Sequence, residues 1–330
     1  MNKYHLQRNA KFNNVDFAKV CMAVMVVALH TGVYCCFVND LFNQVGKALV
    51  DLAVPFFFIA SGFFLWRKIA DATLNEKVDR ITKWGKHTLK LYCIWSLVYL
   101  PYAIYGFVRD DLSLFSSIAL YVRNFIFVGE NFWSWPLWYL LAMIVAAVII
   151  FLLVKVGLKT YQIFIVALLL ATSGIVIDAI HAQGGLDGYF SVFKTTRNGF
   201  FVGFPYIVMG MFIAEYGVIP SKYWLATLFA IGFVLKVVGA PYLSWIVNYL
   251  LFALVIQMNI KDRSGDFYGD LRLASVVIYF THMLWVGLIT ILYPGLAPYW
   301  MFVAAVALSF ATAYLVIRNK ETAVVKFCFR

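Results

Sequence analysis

The chain has 330 residues, of which 63% are hydrophobic and only 13% charged, too little polar surface to cover a water-soluble core of this size. Its formal net charge is +11, from 27 lysines and arginines against 16 acidic residues. No nucleic-acid-binding motif accompanies that excess, which basic loops flanking membrane spans explain, so no nucleic-acid partner is expected.

Apolar runs of about 18 to 22 residues recur along the chain, each long enough to cross ~30 Å of hydrocarbon as a helix. Their centres fall near Val26, Phe57, Ser96, Ala142, Leu168, Val208, Phe229, Leu251, Tyr279 and Val306. The period-2 alternation of a membrane barrel is missing. The expected fold is therefore all-α, a polytopic membrane protein with about ten transmembrane helices, embedded in the lipid bilayer of the cell membrane. No internal repeat or Gly/Ser-rich linker divides it, so residues 1–330 read as a single domain. The longest polar stretch, Arg67 to Lys86, reads as a loop. The first apolar segment, Val15 to Phe37, reads as a retained span. It is too long for a signal peptide, is interrupted by Lys19 and His30, and lacks a small-residue cleavage pattern.

Charge gives the expected topology. With the N-terminus cytoplasmic and ten spans, one side collects 20 of the 27 basic residues and the other 6, Lys19 lying within span 1. The first set includes Lys3, Arg8 and Lys11, a cluster from Arg67 to Lys90, the trio Lys261, Arg263 and Arg272, and a basic C-terminal tail ending at Arg330. The positive-inside rule then puts both termini in the cytoplasm.

The first span carries Asp16, Lys19 and His30 among apolar residues. At ~100° per residue, Lys19 and His30 differ by roughly 20° in azimuth and Asp16 and His30 by about 40°, so the three form one stripe. Lys19 and His30 are ~16 Å apart along the axis, too far to hydrogen-bond. An ionisable residue in a membrane helix is tolerated mainly where it faces protein or water. The stripe reads as the wall of a cleft with charge at its mouth and a base deep inside. It reads equally as an interfacial i,i+3 pair, Asp16 with Lys19, plus a satisfied interior histidine.

Other stretches bear on the choice. Span 2 contains PFFFIASGF, Pro55 to Phe63; RITK follows at Arg80 to Lys83; LWYL stands at Leu137 to Leu140; IYFTHML places Tyr279 three residues before His282. In this order the five pieces resemble the acyltransferase-3 family of membrane proteins, whose first span opens with an acidic residue, then Arg or Lys, then ten residues, then His. The resemblance covers essentially the whole chain. Lysine stands here for the commoner arginine at Lys19 and at Lys83.

The resemblance implies a membrane-embedded O-acyltransferase. It would move an acyl group, usually acetyl, from cytoplasmic acyl-CoA to a hydroxyl of a cell-surface or lipid-linked carbohydrate. His30 would be the general base, since an imidazole with an ordinary pKa of about 6.5 suits proton removal at neutral pH. Asp16 and Lys19 would organise the donor end, Arg80 and Lys83 would contact the phosphates of CoA, and His282 would be a second catalytic group. Tyr279, Ser61 and Trp138 are candidates for the substrate cavity. An interhelical hydrogen bond explains His282 as well, and close helix packing explains Ser61 and Gly62 better. The segment Arg109 to Trp135 mixes aromatics with Arg123, Asn124, Glu130 and Asn131, and reads as an interfacial helix or re-entrant piece that suits a sugar ring. Lys194 and Arg197 could meet an anionic acceptor or lipid headgroups. No group of Cys, His and acidic residues has metal-ligand spacing, so no metal is expected. A transporter of small, amino-acid-like molecules is the competing reading of a polar intramembrane cavity, though no inverted repeat supports it.

Overall fold

Gly32 ends the first helix. It takes φ +70°, in the left-handed region, and open space surrounds the position of its missing Cβ, so the backbone angle and not crowding selects glycine. The structure, a computed structural model, describes residues 12–218, 221–261, 263 and 265–329, and every regular element among them is helical. Lys3, Arg8, Lys11 and Arg330 of the charge count lie outside the described residues. The early helices are α1 (Asn13–Thr31), α2 (Asp40–Val50), α3 (Ala53–Ile69), α4 (Leu74–Arg109) and α5 (Leu114–Arg123). Next come α6 (Leu137–Lys155), α7 (Thr160–His181), α8 (Asp187–Phe193) and α9 (Phe204–Tyr216). The chain finishes with α10 (Lys222–Val237), α11 (Ser244–Gln257), α12 (Phe267–Leu292), α13 (Pro298–Arg318) and α14 (Ala323–Phe329).

All ten expected span centres fall on helices. Eight helical stretches of the described chain are long and apolar enough to cross a membrane. Two of the ten expected spans, α10 with 16 residues and α11 with 14, are shorter. The first span also differs from its reading: its helix stops at Thr31 and not near Phe37, which puts His30 in the last turn.

The polar stretch Arg67 to Lys86 is not a loop. Helix α3 runs to Ile69, and α4 starts at Leu74 and continues for 36 residues, ~54 Å. A capping box starts α4: the Thr73 hydroxyl accepts from the Glu76 backbone N–H and the Glu76 carboxylate accepts from the Thr73 N–H at 2.8 Å. Hydropathy alone hid this helix because its first turns are charged, whereas the Thr-x-x-Glu signal was present in the sequence.

The chain folds as two compact units, one of Met1–Ala60 with Tyr216–Arg330 and one of Ser61–Glu215. In the first, α12 packs against α13 and α1, and α10 packs against α11. The Asn14 amide donates to the backbone carbonyls of Val255 and, at 3.1 Å, Met258, which gives two orphan carbonyls at the end of α11 a partner from α1. Trp285 Nε1 donates to Thr312 Oγ1 at 3.1 Å and ties α12 to α13. In the second, α4 packs along α6. A Cβ on Gly62 would stand 1.9 Å from the Ile207 carbonyl oxygen, so α3 and α9 touch backbone to backbone.

Candidate functional site

Two contacts between α1 and α12 in the first unit build the candidate site. At one level the buried Asp16 carboxylate accepts two hydrogen bonds from Arg272, from Nε at 2.9 Å and Nη2 at 2.7 Å. Lys19 Nζ is 3.9 Å from the same carboxylate. At the other level the rings of His30 and His282 stack with centroids 5.3 Å apart and planes 26° apart. Both contacts pair an earlier residue with an earlier one and a later with a later, so α1 and α12 run parallel. That is the orientation that spans one and nine take in the ten-span reading. Along α1 the two levels are ~21 Å apart and along α12 ~15 Å. The long Arg272 side chain spans the difference, because helical side chains lean toward the N-terminus.

His282 is fully buried, midway along α12. Its Nδ1 lies 3.0 Å from the Ile278 carbonyl oxygen. A carbonyl can only accept, so Nδ1 carries the proton and the neutral ring keeps its lone pair on Nε2. That Nε2 is buried without a hydrogen-bond partner among the described residues. An unsatisfied buried acceptor costs on the order of 1 to 3 kcal/mol, which a hydroxyl donor would recover. The Tyr279 ring lies 6.2 Å from His282 and makes an edge contact with Phe57 at 5.8 Å.

The other expected site residues lie in the second unit. Ser61 Oγ is 3.2 Å from Tyr139 Oη, a hydrogen bond between α3 and α6. The close Gly62 contact with α9 stands beside it, as helix packing requires of that glycine. Arg80 and Lys83 are exposed on the first turns of α4, and Lys83 pairs with Asp79 at 2.7 Å. Trp138, half-buried in the first turn of α6, has its backbone against Gly129. Arg197 is exposed near the start of a π-helical turn, Gly199–Gly203.

The segment expected to be interfacial or re-entrant forms α5, then a π-helical turn from Asn124 to Val128, then an irregular stretch to α6. Leu114, Phe115, Ile118 and Val122 make one exposed apolar face on α5, the pattern of a helix lying in a lipid interface. Arg123 donates to Asn124 Oδ1 at 2.7 Å and to the Ser191 carbonyl at 3.2 Å, and the buried Asn124 donates to Asn131 Oδ1 at 3.0 Å. A cavity of about 10 Å³, room for one water and not for a sugar ring, lies among Tyr92, Ser96, Tyr99, Tyr121 and Asn131.

Glu130 sits in the same segment. Burial raises its carboxyl above the ordinary 4.5, and the Lys194 charge partly opposes this. A raised folded-state pKa means the folded protein binds the extra proton, so stability falls as pH climbs above 4.5. Glu130→Gln should therefore raise the melting temperature at pH 7 and leave it unchanged at pH 4. A melting curve with equal shifts at both pH values would remove this account.

Sequence reading missed Arg272 as a site residue and counted it only as topology charge. Its position at the base of an apolar span was the same signal that singled out Lys19.

Comparison with known proteins bears on this arrangement. A family profile described as "Acyltransferase domain" matches residues 12–318. An amino-acid racemase of Enterococcus faecalis is 28% identical over 230 residues, 66% of this chain and 30% of that protein. A serine/alanine racemase of Enterococcus gallinarum is 25% identical over 300 residues, 82% of this chain and 40% of that protein. The chain thus spans well under half the length of these curated relatives. No solved structure matches.

Proposed function

The chain belongs to the acyltransferase-3 family and is a multi-pass membrane protein, and from that premise we propose that it moves an acyl group, acetyl in the simplest case, from cytoplasmic acyl-CoA to a carbohydrate hydroxyl. The acceptor class is a cell-surface or lipid-linked glycan, and the setting is the cell membrane. One observation carries the reading: a buried imidazole, His282, whose Nδ1 proton is engaged and whose Nε2 lone pair is unmatched, stacked against His30.

The chemistry follows from that lone pair. The acceptor hydroxyl donates to the histidine pair, and its proton moves to an imidazole nitrogen as the oxygen attacks the thioester carbonyl carbon. The new C–O bond forms, the C–S bond breaks, and the imidazolium returns the proton to the departing thiolate. The products are the acyl ester and free CoA thiol, and the histidines are regenerated. A dry site strengthens any donor that faces the developing oxyanion. Burial of His282 supports that condition.

A second reading, passage of a small amino acid across the membrane, draws on the printed names of the racemase relatives. One experiment separates the two. Purified protein in nanodiscs is given acetyl-CoA with and without an envelope glycolipid extract, and free thiol is measured. Release that depends on the extract is the expected result. No release from folded protein, together with uptake of labelled serine or alanine into liposomes, would replace the enzyme with a transporter.

A further inference from the structure

Arg272 holds more hydrogen-bonding capacity than its fold partner uses. A guanidinium has five N–H groups in a fixed fork. Nε and Nη2 each give one to Asp16, so Nη1 and one N–H of Nη2 have no partner among the described residues. The side chain is 61% exposed while the carboxylate that holds it is 4% exposed. A buried acid therefore fixes the plane of a guanidinium whose other edge faces outward.

Charge adds a second observation. Around Asp16 stand two cations, Arg272 and Lys19. At the start of α12 Asp266 and Asp270 share one cation, Lys320, at 2.8 Å and 2.6 Å. An oriented guanidinium edge beside a second cation matches two oxygens of a phosphate. The position supplies the third. Arg272 lies on the same two helices as the histidine pair, and its guanidinium, at the level of Asp16, is ~21 Å along α1 from His30, on the scale of an extended pantetheine arm with its acyl group. It also lies on the side that the charge count gives to the cytoplasm.

We propose that Arg272, its plane set by Asp16, binds the diphosphate of the acyl-CoA donor and so fixes how far the thioester reaches toward His30 and His282. This assignment rests on the acyltransferase reading. Asp16 is then a positioning residue and not a proton-transfer group. A phospholipid headgroup offers the same phosphate chemistry, and the test separates the two sources.

Thiol release in the presence of the envelope glycolipid extract, freed of phospholipid, is measured in detergent and in nanodiscs, with acetyl-CoA and with S-acetylpantetheine, which has the thioester arm but no diphosphate. Arg272→Gln should raise KM for acetyl-CoA about tenfold or more with kcat within about twofold, the loss expected for charge-assisted hydrogen bonds. Arg272→Lys keeps a cation opposite Asp16 but loses the fork, and should fall between. Both variants should use S-acetylpantetheine as well as the wild type does, which also shows the catalytic end intact. Unchanged KM for acetyl-CoA in active Arg272→Gln overturns the assignment, as does equal loss with both donors. An effect seen only in nanodiscs gives the guanidinium to a lipid headgroup and overturns it too. A folded wild type that releases thiol from neither donor overturns the enzyme reading, and the assignment with it.

Discussion

His282→Asn should lower the turnover number for acyl transfer by about 10² to 10⁴, the usual contribution of a positioned general acid–base. The substitution is chosen for what it keeps. The asparagine Nδ2 stands near the place of the histidine Nδ1 and can still donate to the Ile278 carbonyl, so the fold contact survives. What disappears is the buried lone pair on Nε2. His30→Ala should have an effect of the same order, because the two rings stack. If the pair acts as a unit, His30→Ala with His282→Asn should be no slower than the worse single variant, since residues of one catalytic unit are far from additive. Steady-state kinetics on protein with unchanged melting temperature checks this. Turnover above about a tenth of wild type in His282→Asn would remove the histidine pair from the chemistry. Independent, multiplicative losses would separate their roles.

The second large effect is on stability. Gly62→Ala should destabilise the protein strongly, by about 3 kcal/mol or more, at the upper end of what overpacking costs. The reason is what the new Cβ would meet. It would lie 1.9 Å from the Ile207 carbonyl oxygen, 2.7 Å from its carbonyl carbon and 3.0 Å from its Cα, all backbone atoms that cannot rotate aside. Helices α3 and α9 would have to move apart. Ser61→Ala next door loses the 3.2 Å hydrogen bond to Tyr139, and interhelical bonds in membranes average about 0.6 kcal/mol. Melting of purified protein should thus show a large drop for Gly62→Ala and a small one for Ser61→Ala. The reverse order would mean that Ser61 does more than pack.

The histidine site was half legible in the sequence. The polar stripe Asp16, Lys19, His30 could be placed on one helix face because a helix repeats at a fixed angle, and Tyr279 with His282 follows from the same periodicity. Their meeting could not be read, since no local rule links residues so far apart in the chain. Arg272 shows the difference most plainly. Its charge was visible and fitted the topology count, but only the packing of α1 on α12 revealed that it closes on Asp16. Arg80 and Lys83 give the opposite lesson. They were placed on a loop because polar runs suggest one, although the capping box at Thr73 and Glu76 marked a helix start.

The amino-acid sequence by itself determined that this is a helical membrane protein. Composition decides which solvent a surface can face, and the length of an apolar run decides whether a helix can cross the bilayer. It also determined the family resemblance, through short motifs in a set order. Tertiary structure decided which polar groups meet: Arg272 with Asp16, His30 with His282, Gly62 with the backbone of α9. Those pairings depend on how helix faces pack in three dimensions, and a one-dimensional pattern carries the face of each helix but not its neighbour.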